Sequence, residues 1–510
     1  MAGVSRTARV IQNAKVALFF YCINLILQFF SRKIFLDYLG AELLGLNTTA
    51  QNLLQFLNLA ESGIGMAVAF ALYKPLSQNN RQEIIDIVSL QGWLYRWVGL
   101  FVIASSIILM AFFPWIFAKA DVPLIYAYGT FVAFLISALL GYFVNYKMIV
   151  LSADQKEYKI TIETQGIKVI KVFIQMLAIL TLPYGYIWWI TLEVIASLIT
   201  SVRVSYCITE EYPWLITDIT RGRDLKIQYA FVMKRTRQLF IQRLGAVVSW
   251  QVVPLLVYAF TSLTMVAIYG NYLLILGGCL MLVDALSRGL NAGVGNLVTS
   301  TNLKEVKEVF WQLVTIRLFF AGFICSVFFF LSEPFMKLWL GEEYIMPLLP
   351  MTILVVTYFM QMSKTCDIFL NAYGLFQDIW VPVAESSLIV VSSVLLGYFY
   401  SLTGILMGVL FIQFFILNGW KPYFLYTHAF QEDVGEYFRL YIKKLSIVLV
   451  ISNSFFLFTI RIVDWCDWIY YALVFSLLYF SLGIILFHLF DKHFDQFLQK
   501  ISGLINKRTV

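Results

Sequence analysis

The sequence predicts an all-α polytopic membrane protein with about fourteen transmembrane helices, six before a central connector and eight after it. Composition is the first reason. Of 510 residues, 60% are hydrophobic and 13% charged, against roughly 45–50% and about 25% in soluble chains. The second reason is run length: apolar stretches such as Val98 to Phe117 and Tyr471 to Leu489 are long and continuous. A helix needs about 20 apolar residues to cross hydrocarbon while satisfying its own backbone, whereas a β-barrel would show short alternating segments. The first apolar run is long enough to span and has no A-x-A-like cleavage site after it, so no cleavable signal peptide is expected.

Apolar runs and their breaks place the spans at roughly 13–38, 45–73, 87–118, 123–150, 158–182, 184–208, 233–260, 263–293, 306–332, 346–372, 378–401, 404–427, 439–462 and 466–490. An even count puts both termini on one side. With the termini inside, the inner hairpins and tails hold 27 of the 37 Lys and Arg residues and the outer loops hold five, namely Arg32, Lys33, Lys119, Lys337 and Arg461. The positive-inside rule therefore makes both termini cytoplasmic. It also accounts for most of the net charge of +7 without a nucleic-acid partner.

The longest hydrophilic stretch, about Glu210 to Lys226, is a connector and no soluble domain. Residues 1–208 form an N-terminal lobe, 209–232 a cytoplasmic linker, 233–428 a C-terminal lobe, and 429–510 two further spans with a cytoplasmic tail. Sliding the chain by 222 residues sets Ser77-Gln-Asn-Asn-Arg-Gln-Glu-Ile84 against Thr299-Ser-Thr-Asn-Leu-Lys-Glu-Val306. That alignment and the linker position favour two six-helix lobes plus two extra helices.

Charge at mid-membrane is costly, so polar residues there face a bundle interior or an aqueous cavity. In span two, Gln51, Gln55, Asn58, Ser62 and Gly65 follow one helical face, with Glu61 at its margin. In span five, Thr161, Thr164, Gln165, Lys168, Lys171 and Gln175 fall within an arc of about 120°. Span seven adds Arg235, Gln238, Gln242 and Ser249, with Arg243 to the side. Snorkelling to the headgroups and hydrogen bonding between packed spans are the structural alternatives for these stripes. Of the acidic residues near spans, Glu61 and Glu385 have no local partner and are candidates for ion coupling. Asp284 is a third, unless Arg288 at i,i+4 neutralises it; Lys364 and Asp367 read as a local i,i+3 pair.

Six scattered cysteines without CxxC or CxxH spacing support neither a disulfide framework nor a metal site. His428, His488 and His493 read as interfacial. No P-loop, no catalytic grouping and no cofactor motif emerges, so the chain is expected not to be an enzyme. A helical bundle with a polar, net-basic interior is a secondary transporter, and phosphate is the obvious group for its Lys and Arg to hold.

The N-terminal hairpin, Arg32-Lys-Ile-Phe-Leu-Asp-Tyr-Leu-Gly-Ala-Glu-Leu-Leu-Gly-Leu46 with Leu57-Asn-Leu-Ala-Glu-Ser-Gly-Ile-Gly65 and Leu72-Tyr-Lys-Pro-Leu76, resembles the opening of bacterial polysaccharide flippases. These belong to the multidrug, oligosaccharidyl-lipid and polysaccharide exporter superfamily. The resemblance implies two pseudo-symmetric lobes around a cavity that opens alternately to each side of the inner membrane. It implies as cargo an undecaprenyl-pyrophosphate-linked oligosaccharide for O-antigen (lipopolysaccharide), capsule or exopolysaccharide, with polysaccharide polymerase machinery as a partner and H+ or Na+ as a coupling ion. Arg32 matches the family's basic residue on the first helix, and Glu61 its acidic residue before Gly-x-Gly. The expected cavity set is Arg32, Gln51, Gln55, Asn58, Gln165, Lys168, Lys171, Gln242 and Arg243. The alternatives are a multidrug exporter of the same superfamily, which should favour acidic cavity residues, and a membrane-embedded glycosyltransferase or polymerase, which usually carries a sizeable external loop.

Overall fold

The computed structural model describes residues 6–300, 302–375, 380–459 and 461–506. Within its helices the side chains of 6–8, 10–11, 241–250, 285–293, 296, 299–300 and 500–506 lie outside the description. The described residues are helical with no strand, and fourteen helices carry the architecture. They are α1 Arg6–Leu57, α2 Ile64–Gln78, α3 Arg81–Ala111, α4 Leu124–Phe143, α5 Glu157–Thr181, α6 Gly185–Glu211, α7 Ala230–Phe260, α8 Leu263–Ser300, α9 Leu303–Trp339, α10 Leu348–Ser363, α11 Trp380–Gln413, α12 Val434–Asn453, α13 Trp465–Phe490 and α14 Lys492–Asn506. Eleven stretches among the described residues are long and apolar enough to cross a membrane. Two of these, Gln12–Glu61 and Trp380–Phe430, are 50 and 51 residues long, and a single crossing needs only about 20.

Each long stretch is broken where the sequence reading separates two spans. In α1 the break is Gly40, at φ 85° and ψ 169°; in α11 it is Tyr400 and Ser401, the latter at φ 50°. The second break reverses the chain. Ser392 donates to the Gly408 carbonyl at 3.3 Å and Ser393 to that of Ile405 at 3.0 Å, so the helix before Tyr400 lies antiparallel against the helix after it. Gly404 and Gly408 permit this approach, because a Cβ on either would overlap the backbone of Leu396 or of Ser392 and Ser393.

The chain forms two compact units: Met1–Ala267 with Pro382–Ser386, and Ile268–Val381 with Ser387–Val510. In the first, α5 packs on α1 and α6, α4 on α1, α3 and α6, and α7 on α1 and α2. In the second, α9 is the central element, packing on α10, α12, α13 and α14. Its core is aromatic: Phe310, Phe369, Tyr426, Phe430, Phe455, Phe475, Tyr479 and Phe487 are all fully buried. Large apolar side chains such as Phe101, Ile108, Leu395 and Leu477 stand outward, as a lipid-facing surface requires.

The 222-residue alignment falls on two equivalent helix starts. Asn80 caps α3, its Oδ1 accepting from the Glu83 amide at 3.3 Å; Asn302 caps α9, its Oδ1 accepting from the Glu305 amide at 3.0 Å. This is the same N-cap box twice. One neighbouring pair keeps nearly the same offset: α10 begins at Leu348 and α4 at Leu124, 224 residues apart.

Beyond the sequence expectation, the C-terminal tail is helical. At its elbow Asp491, buried, bonds Lys444, the Thr315 hydroxyl at 2.8 Å and the His493 amide at 3.1 Å. His493 is 6% exposed and lies beside Trp311, so it is a core residue and not an interfacial one. Burial alone would raise the Asp491 carboxyl; the His493 hydrogen bond and the Lys444 charge prevail and hold it well below the usual carboxylate range.

Candidate functional site: polar stations inside the first unit

The α-helix that carries the face read along span two runs only as far as Leu57. There the α-helix gives way to a tight 3-10 turn, Asn58–Glu61, and α2 restarts after Gly63 at φ 95°. A Cβ on Gly63 would stand 2.8 Å from the Phe240 nitrogen and 2.9 Å from the Thr236 carbonyl oxygen. Only glycine supplies both the left-handed backbone and the room for α7. The break turns Asn58 and Glu61 toward α3 and α4. The Tyr95 hydroxyl donates to Glu61 Oε1 at 2.7 Å, and the Tyr142 hydroxyl to Asn58 Oδ1 at 3.0 Å. The two rings meet edge to face, 5.6 Å apart. Both tyrosines are buried. Gln55 is half-buried and Gln51 exposed.

The stripe of span five divides between two surroundings. Gln165 faces α1 and accepts from Asn24 Nδ2 at 3.2 Å. Lys168 and Lys171 line a cavity of about 280 Å³ between α4, α5 and α6, with Thr164, Asn145, Ser137 and Ser197 on its walls. Lys171 is paired with Glu193 at 2.7 Å. Lys168 has no hydrogen bond or ion pair among the described residues, so the cavity keeps one uncompensated positive charge. Gln175, deeper on the same face, donates to the Trp189 carbonyl at 2.9 Å.

The remaining expected residues lie elsewhere. Arg32, half-buried on α1, reaches the Ala267 carbonyl oxygen at 3.5 Å. Gln242 and Arg243 are on α7 at positions whose side chains lie outside the described residues. Asp284, on α8 in the second unit, stands 3.9 Å from Arg317. Arg317 is 7% exposed, donates through Nε to the Met362 carbonyl at 3.0 Å, and has one terminal nitrogen with no hydrogen bond. Glu385 is half-buried on α11. Asp367 forms its ion pair with Lys421 and not with Lys364. The reason is local: Lys421 follows a widened π-helical turn, Phe414–Trp420, which aims it at the short helix bearing Asp367.

Residue phase did not find Tyr95, Tyr142 or Asn24, because a tyrosine or asparagine in an apolar run carries no charge signal. Arg317 had such a signal, a lone cation in the middle of span nine.

No family model and no curated protein matches the sequence. Solved structures do. The lipid II flippase MurJ in an inward closed conformation superposes with a TM-score of 0.65 at 15% identity, over 94% of this chain and 99% of that one. This chain shares that fold. An inward-facing multidrug resistance MATE family transporter of the MOP superfamily matches at 0.57 and 13% identity, covering 79% of this chain and 93% of its own. An outward-facing member matches at 0.51 and 11%, over 88% and 97%. The sequence expectation of a polytopic all-α protein is therefore met, and the chain is a multi-pass membrane protein.

Proposed function

We propose that this protein is a flippase that carries an undecaprenyl-pyrophosphate-linked oligosaccharide from the cytoplasmic to the periplasmic leaflet of the inner membrane. It acts as a transporter and not as an enzyme, through two six-helix lobes (residues 1–208 and 233–428) that open alternately. Both termini are cytoplasmic, and the oligosaccharide feeds assembly of O-antigen, capsule or a related polysaccharide.

The observation that carries this reading is the Lys168 ammonium, without a hydrogen bond or ion pair among the described residues, in a largely apolar cavity with a few polar groups within membrane-spanning helices. A cation in that setting is retained at a cost of roughly 2.5–3.5 kcal/mol, which an anionic ligand offsets. Pyrophosphate supplies the charge, sugars suit the surrounding Asn, Ser and Thr groups, and the polyprenyl tail stays in lipid. The fold shared with MurJ, whose name gives lipid II as its cargo, supports the lipid-linked class. The second reading, multidrug export, is favoured by Glu61 among aromatic rings, a setting that suits a cationic substrate.

Leaflet transfer of the lipid-linked oligosaccharide in proteoliposomes separates the two. Wild type transfers it, and Lys168→Ala slows transfer by roughly tenfold or more, the loss of one charge-assisted hydrogen bond. Transfer that is absent, or that is indifferent to Lys168, sinks the flippase reading.

A further inference from the structure

Helices α5 and α6 run antiparallel, and charged side chains join them at a steady register. Lys159 pairs with Glu211, Glu163 with Arg203 at 2.9 Å, and Lys171 with Glu193 at 2.7 Å. Gln175 continues the series by donating to the Trp189 carbonyl. As α5 advances from 163 to 171, its partners on α6 fall back from 203 to 193. The register opposite Lys168 is therefore 196–198, which is Ala196, Ser197 and Leu198. No carboxylate stands there.

Of the three lysines on α5, Lys159 and Lys171 are each answered by a glutamate of α6, while Lys168 is a rung with one side missing. It lies midway along the 25 residues of α5, and it lines the cavity of about 280 Å³ together with Ser197 and Thr200 of α6. Ser197 donates through its hydroxyl to the Glu193 carbonyl at 2.8 Å. That carbonyl already receives the α-helical bond from the Ser197 amide, so the hydroxyl can turn toward the cavity at small cost. Thr200 makes no side-chain hydrogen bond among the described residues. One ammonium and two hydroxyls around a hollow are the donors that a phosphate oxygen needs.

We infer that one phosphate group of the cargo fills the missing side of this rung, held by Lys168 with the Ser197 and Thr200 hydroxyls, and that Glu193 keeps the site to a single phosphate by occupying Lys171. This rests on the transport reading above and deepens it by giving the anion its position and α6 its part in recognition. Lys168 and Lys171 are three residues apart on one face of α5, close enough to hold both phosphates of a pyrophosphate if both were free. With Glu193 in place the pocket presents one net positive charge; without it, two. Glu193 is therefore a specificity-determining residue, because it sets how many phosphates the pocket can answer.

The test measures binding of farnesyl monophosphate and farnesyl diphosphate, probes that differ by one phosphate, to the full chain in phosphatidylcholine nanodiscs. Wild type binds the two within about threefold of each other. Ser197→Glu supplies the missing carboxylate: it weakens both by roughly tenfold or more, the loss of a charge-assisted hydrogen bond, while the unfolding temperature stays level or rises. Glu193→Gln frees Lys171 and shifts the ratio toward the diphosphate by roughly tenfold, a gain that a misfolded chain cannot give. The inference is overturned if wild type binds neither probe or already prefers the diphosphate by about tenfold. It is equally overturned if Ser197→Glu binds like wild type or unfolds earlier, or if Glu193→Gln leaves the ratio unchanged. Phosphate binding of this pattern without leaflet transfer of the lipid-linked oligosaccharide removes the proposed cargo alone. Transfer that Lys168→Ala slows and Ser197→Glu does not removes this inference alone.

Discussion

In the first unit the Glu61 carboxylate accepts from one phenol, Tyr95, and the Asn58 amide oxygen from another, Tyr142; in the second, one residue off the 222-residue offset, the Asp284 carboxylate stands beside Arg317, and Lys364 occupies the position of the second phenol. The scaffolding that sets the register is the more faithfully repeated part: both helices start at an asparagine cap with glutamate three residues on. Backbone caps satisfy a requirement of every helix start, so they persist in both copies. Charge at the station is under no such constraint, and it differs between the units: Glu61 and Asn58 sit against phenols, Asp284 beside a guanidinium.

The comparison can be broken or sharpened at four places. The largest effect is expected at an element that the first unit does not have, the α14 elbow. Lys444→Met leaves Asp491 buried without its cation and lowers stability by about 3–5 kcal/mol, read as a drop in unfolding temperature in detergent together with faster amide exchange in α14. The same carboxyl gives a pH signature. Its folded-state pKa lies below the unfolded value, so its stabilisation is complete above about pH 4 and fades as pH falls.

Next, Gly63→Ala places a Cβ against the α7 backbone on a left-handed residue and costs about 2–4 kcal/mol. The corresponding position in the unbroken α8 is already Ala285, so Ala285→Gly costs only about 1 kcal/mol. Equal losses at both positions contradict the claim that the break belongs to one copy.

Third, the two donors should differ in sign. Tyr95→Phe lowers stability by about 1 kcal/mol. Arg317→Met leaves it unchanged or raises it by up to about 2 kcal/mol, because it removes a buried guanidinium with an unbonded nitrogen while Asp284 stays half in solvent. Smallest and most alike, Asn80→Ala and Asn302→Ala each cost about 1 kcal/mol; matched values in thermal unfolding are the signature of repeated scaffolding.

Much of the fold was legible because apolar runs report helix positions directly. The separation read between residues 38 and 45 falls on Gly40, and that between 401 and 404 falls beside Tyr400 and Ser401. The candidate site was legible where charge stands in an apolar run: Lys168, Lys171 and Glu61 all lie at polar stations. The break at Asn58–Gly63 was not, since glycines in a helical pattern are common and the α7 backbone that demands Gly63 lies some 175 residues away in sequence. Helical phase extrapolated across that break misplaces whatever follows it. Pairing was the least legible feature. Asp367 found Lys421, 54 residues on, through a widened turn that leaves no mark in the hydrophobic pattern.

The α11 hairpin has a consequence for how the chain enters the membrane. Between its arms there is no loop to speak of, only Tyr398, Phe399, Tyr400 and Ser401, three exposed aromatic rings and a left-handed serine. Such a turn offers the insertion machinery no basic residue to hold back and too few residues to pause on. Aromatic rings suit either headgroup region, so the turn by itself encodes no sidedness. With its arms joined through Ser392, Ser393, Gly404 and Gly408, the hairpin is expected to insert as a unit, with Lys364 before it and Lys421 after it as the nearest basic residues to orient it. Moving those two lysines, with nothing in the hairpin altered, is expected to change its direction of insertion.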